Sequence, residues 1–145
     1  MPHHLSSTSA AHGPAAALRE RWDRVGLGIR CAYNPRQPAA IRCFLALGAR
    51  LAYTGAWTEL AVWQRALQVL LQTAMDEALP WAWRSACLEH TTWPVARLTS
   101  LLNATDPAAL EAWQACVQAA QDGVGGVPGG AEAPGSERAA RRGLE

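Results

Sequence analysis

The chain has 145 residues, half of them apolar and 17% charged, which fits one globular domain with its own core and argues against two domains or a wholly disordered chain. Thirteen basic against twelve acidic residues leave a net charge of +1, so the electrostatic case for a dedicated nucleic-acid binder is missing. Every basic residue is an arginine, which excludes Schiff-base chemistry and a phosphate-binding loop, since both need a lysine amine.

Residues 1–13 are rich in Ser, Thr, His and Ala, have little to bury and are expected to be disordered. They lack the basic start and apolar run of a secretory signal. The longest apolar stretch, Leu60 to Leu79, is interrupted by Gln64, Arg65, Gln68, Gln72, Asp76 and Glu77, too polar for a spanning helix. A cytoplasmic protein without membrane association is the expectation. Residues 14–122 then form the expected helical domain, punctuated by proline. The first run, about 15–32, carries Leu18, Trp22, Val25 and Ile29 at helical spacing. Pro38 opens a second run to about Tyr53, with Ile41, Leu45, Gly48 and Ala52 on one face and Gly48 suited to close approach of a neighbour. The third run, about 58–78, is the clearest: Leu60, Trp63, Leu67, Leu70, Leu71 and Ala74 follow the helical period, with glutamines on the wet side. A short helix over Trp81 to His90, another from Pro94 to about Leu102, and a last one capped at Thr105-Asp106-Pro107 and closed by Gly123 complete the series. Nothing alternates with period two. The fold class expected is an all-α, compact bundle of about five to six short helices. Residues 123–145 hold seven of the twelve glycines and read as a disordered tail.

Two sets of residues could carry function. Trp57, Trp81, Trp83 and Trp93 fall around the ends of the third and fourth helices and give them a mixed polar and aromatic character. Such a corner, with Arg84, suits either a partner-binding patch or staples that hold short helices together. Cys87 and His90 stand three apart on one helix, and Cys31 and Cys43 flank the proline-rich connection between the first two. Together they could make a tetrahedral zinc or iron site, although two close-spaced ligand pairs are usual and only one is present. The competing reading places the cysteines, Cys116 included, in the core as small apolar groups. No catalytic motif is present: there is no nucleophile elbow, and the adjacent Asp76 and Glu77 diverge by about 100° on a helix and cannot share a proton. An ion pair from these carboxylates to Arg84 is expected to pin the helix junction.

Ile29-Arg30-Cys31-Ala32, Pro35, Pro38, Ile41, Leu45 and Trp57-Thr58, then Asp76, Leu79-Pro80-Trp81-x-Trp83-Arg84 and Cys87-Leu88-Glu89, resemble FagA, the small fumarase-associated protein family of pseudomonads and relatives. The similarity spans about residues 22–97, and the L-P-W-x-W-R-x-x-C-L-acid string is its most specific part. Members of that family are encoded beside a class II fumarase and a manganese superoxide dismutase under an iron-responsive repressor. The resemblance therefore implies a role in iron limitation and oxidative stress, with no reaction assigned. The family often has histidine between the two tryptophans and at the place of Cys43. Here Ala82 and Cys43 stand there, so one potential ligand is kept and one removed. The expected function is that of a non-enzymatic accessory protein acting on a protein partner, with metal binding or sensing as the alternative.

Overall fold

The computed structural model describes residues 13–125. Among these, six helices follow one another: α1 (Pro14–Arg30), α2 (Ala39–Tyr53), α3 (Glu59–Ala74), α4 (Trp81–Glu89), α5 (Thr92–Leu102) and α6 (Pro107–Gly125). The described chain is all-helical, as its periodicity requires. Proline and short polar caps set the starts. Pro14 and Pro107 open α1 and α6 where a missing N–H costs nothing, Pro38 and Pro80 stand just before α2 and α4, and Thr58 caps α3 by accepting from the Ala61 amide. Helix α5 begins two residues ahead of Pro94, which occupies the first turn instead of the first position. Asp106 caps α6 by accepting from the Ala109 amide.

The helix ends follow stop chemistry. Helix α2 closes at Gly55, whose φ of 72° is the left-handed conformation glycine tolerates. Helix α1 closes with the Tyr33 amide on the Gly28 carbonyl and the Ala32 amide on the Ile29 carbonyl, a Schellman arrangement. It puts Ala32, which has a Cβ, at φ 48°. Gly123 does not end α6. The helix runs on to Gly125 because Val124 reaches the core, and burial outweighs the glycine stop signal. The remainder of the two segments expected to be disordered, 1–12 and 126–145, lies outside the described residues.

Helix α3 is the axis of the bundle. It packs against each of the other five helices, which explains why it buries residues around most of its circumference: Val62, Trp63, Ala66, Leu67, Val69 and Leu70 among them. Helices α1 and α2 pair with each other along one side of α3, while α6 lies against α3, α4 and α5 on another. Two glycines let α1 and α2 approach. A Cβ on Gly26 would stand 2.9 Å from the Phe44 ring, and one on Gly48 would stand 3.1 Å from the Trp22 indole nitrogen. In the space so made, Trp22 stacks on Phe44 at 5.2 Å and donates its N–H to the Phe44 carbonyl at 3.1 Å. The close approach expected at Gly48 is present; that at Gly26, one turn from Trp22, is equally tight. No helix among the described residues is long and apolar enough to cross a membrane.

Candidate functional site

The tryptophans singled out in the sequence do not form one corner. They divide between the two ends of α3, about 24 Å apart at 1.5 Å per residue, and the two ends differ in chemistry.

At the C-terminal end, the last carbonyls of a helix lack partners within that helix. Three helices meet this need from one place, the first turn of α4. The Trp81 indole donates to the Val124 carbonyl of α6 at 3.2 Å, the Trp83 indole to the Ile29 carbonyl of α1 at 2.9 Å, and the Arg84 Nε to the Ala74 carbonyl of α3 at 2.8 Å. Trp83 is buried and Arg84 is only 7% exposed. The arginine charge stands at the negative end of the α3 dipole, where a cation is stabilised. These three residues therefore act as staples, and Trp83 and Arg84 have little surface left for a partner. The expected ion pair to Arg84 is also redirected: Asp76 binds Arg30 at 2.7 Å. That hydrogen bond, with one from the Ala78 amide, holds the Asp76 carboxyl below its usual range against the opposing effect of burial, with the charges of Arg30 and Arg84 adding to the lowering.

The cysteines and histidine do not converge. Cys87 is fully buried among apolar neighbours, and burial pushes its thiol up to about 12, unsuited to a metal-binding thiolate. Three residues on, His90 turns its Nδ1 to the Ala86 carbonyl of its own helix at 2.7 Å. Cys31, Cys43 and Cys116 are exposed, which corrects the reading that placed them in the core; of the four, Cys87 alone packs there. Position 116 falls off the stripe of Leu110, Trp113, Val117, Ala120 and Val124 that α6 turns inward. Among the described residues no three His, Cys, Asp or Glu side chains lie where they could hold a metal ion together.

The N-terminal end of α3 is open. Trp57 meets Trp22 edge-on at 5.6 Å, and the Arg19 guanidinium covers its ring at 4.2 Å, so Trp57 is engaged within the fold. Trp93 behaves differently. It tilts against Trp63 at 5.5 Å yet keeps 41% of its surface in solvent. Between these rings and the end of α2 lies a recess of about 380 Å³, lined by Ala49, Ala52, Tyr53, Glu59, Trp63, Trp93 and Arg97. Tyr53 is 93% exposed on its rim, and Arg97 of α5 pairs with Glu59 of α3 across it. Trp63 is 2% exposed, and its indole N–H is the one buried side-chain polar atom among the described residues without a hydrogen-bond partner. An orphaned buried donor costs about 1–3 kcal/mol and calls for an explanation. The sequence singled out Trp93 but not Tyr53, Glu59 or Arg97. The available signal was Tyr53, which falls outside the Ile41, Leu45, Gly48 and Ala52 stripe of α2 and must face solvent. A second groove of about 240 Å³ runs between α1 and α3 over Trp22 and Phe44, and every indole N–H on its floor is bonded within the fold.

Comparison of the chain with protein-family models, curated proteins and solved structures finds no match.

Proposed function

We propose that this protein is a small cytoplasmic, non-enzymatic accessory protein that binds a partner protein through the recess between α2, α3 and α5. The observation that carries the reading is that two exposed aromatic side chains, Tyr53 and Trp93, line one recess together with Trp63, whose buried indole N–H has no partner. Aromatic anchors in a concave patch are the usual centre of an interface. The likeness to FagA supplies the biological setting, iron limitation and oxidative stress.

The test is affinity capture from iron-starved and iron-replete cells with the full chain, a Tyr53→Ala/Trp93→Ala double variant, and Trp81→Ala as a control. A partner recovered in near-stoichiometric amount by the wild type and by Trp81→Ala, and lost by the double variant, is the expected result. Equal recovery by all three proteins, or recovery of nothing in either growth condition, overturns it.

A further inference from the structure

The two kinds of charge are sorted along the chain, and the fold turns that sorting into sides. Residues 13–58, which hold α1 and α2, carry seven arginines and two carboxylates. Residues 59–125, which hold α3 to α6, carry three arginines and seven carboxylates. From Arg24 to Thr58 there is no Asp or Glu, and from Leu98 to Gly125 no basic residue. Helices α1 and α2 pack together on one side of α3, whereas α6 makes its contacts with α3, α4 and α5. Little of this is cancelled inside the fold. Among the described residues two ion pairs form, Arg30 with Asp76 and Arg97 with Glu59. Arg42 and Arg50 of α2, and Glu111 and Asp122 of α6, are exposed and belong to neither pair. On each helix the charges share one outer row. Arg42, Ala46 and Arg50 follow at steps of four, and Glu111, Ala115, Ala119 and Asp122 at steps of four, four and three. Alanine alone stands between the charges in both rows, so neither surface holds a second helix away by bulk.

We infer that the α2 face of one copy of this chain docks on the α6 face of a second copy, guanidinium to carboxylate. Charge complementarity carries the commitment to a second copy, because the chain itself bears the acidic row that its basic row requires. The rows run about 12 Å and about 16 Å along their helices, a difference that long arginine side chains span. A net charge of +1 leaves almost no overall repulsion between copies. The two faces are different surfaces, so the contact is heterologous and each added copy leaves one of each free. Exposed ion pairs are individually weak, so the association is reversible and fades with salt.

The experiment is sedimentation velocity on the full chain, kept reduced, over rising protein concentration. It is run at about 10 mM and about 1 M salt, where charge is felt over about 30 Å and about 3 Å. Wild type is compared with Arg42→Glu/Arg50→Glu and with Glu111→Arg/Asp122→Arg, all exposed positions, and matching melts establish that the variants fold. The expected result is a wild-type mass that rises with concentration at low salt only. Each variant alone should associate at least tenfold more weakly. Mixing the two should restore association, since the unaltered α6 face of one meets the unaltered α2 face of the other. Cys43 and Cys116 are exposed on the same two helices, so a short bismaleimide should join Cys43 of one wild-type copy to Cys116 of the next at low salt. That measurement needs no variant to fold. Association indifferent to salt, variants that associate like wild type, variants that stay apart when mixed, or cross-links that leave Cys116 out overturn the inference. A wild type that stays monomeric at low salt also overturns it, and leaves the α2 face to an acidic surface of a different protein. Tyr53 and Trp93 are kept in all three proteins, so failure here leaves the proposed function standing.

Discussion

The two ends of α3 solve the same local problem in opposite ways. Both gather tryptophan. At the C-terminal end each indole N–H has a carbonyl waiting for it, Trp83 on Ile29 and Trp81 on Val124, and the arginine beside them takes Ala74. At the N-terminal end Trp63 is just as deeply buried but donates to nothing, and Trp93 beside it stays half in water. Aromatic content alone thus says little about role; the two ends differ in whether the polar edge of the buried ring is already used.

The contrast is sharpest under truncation. Trp83→Ala removes a fully enclosed ring and one of the two hydrogen bonds to the Ile29 carbonyl, and should cost about 3–5 kcal/mol in urea unfolding. Trp93→Ala, which gives up only the packed half of the ring, should cost about 1–3 kcal/mol, less than Trp83→Ala, while abolishing capture of the partner. Comparable losses at the two positions would erase the distinction between the ends.

A second probe is the thiol set. Cys31, Cys43 and Cys116 should react with a maleimide in the native protein, and Cys87 after unfolding alone. The same enclosure predicts alkaline sensitivity. The unfolded thiol ionises near 9.0 and the folded one near 12, so the contribution of Cys87 is complete below pH 9 and declines as pH rises through that window. The decline is at most about 1.4 kcal/mol per pH unit, and Cys87→Ala should show a shallower alkaline slope. A native Cys87 that labels as fast as Cys43 would mean that the C-terminal end is open as well.

Smaller effects test the finish of α1. Ala32 holds a left-handed φ that glycine adopts without strain, so Ala32→Gly should raise stability by up to about 1 kcal/mol. The Arg30–Asp76 pair is partly exposed and should matter least. Because the Asp76 carboxyl is held below its usual range, its contribution is present above that range and lost as pH falls through the lowered value. Asp76→Asn should therefore lower stability slightly at neutral pH and converge with the wild type in acid, which flattens the acid limb of the stability profile.

Most of the fold was legible in the chain. Proline spacing and the 3.6-residue period place all six helices to within a few residues, whereas the central place of α3 is not marked by its apolar face, since glutamines hold the other side. Gly123 misled because its stop signal is local, whereas the burial of Val124 is decided by the rest of the bundle. The Cys87 and His90 spacing read correctly as one helix but not as one direction, since His90 caps that helix and turns back to Ala86. The hydrogen bonds of Trp81, Trp83 and Arg84 could not be read at all. Their acceptors are backbone carbonyls, which carry no residue signature, and for the two indoles they lie 43 and 54 positions away. The string most specific to the resemblance is thus accounted for by architecture, while the open recess draws on Tyr53, Glu59 and Arg97, which no motif marks.

The long reach of the α4 staples has a consequence for how the native state comes apart. Contacts between α1 and α2, and between α2 and α3, join neighbours in the chain and close small loops, while fixing Trp83 to Ile29 requires a loop of about fifty residues whose ordering opposes it. Helix α4 is then expected to act as a latch, set after the collapse around α3 and released at the start of unfolding. In a chevron, substitution at Trp83 should speed escape from the native state and leave the refolding rate almost untouched. On that account the lifetime of this protein is governed by one turn of helix.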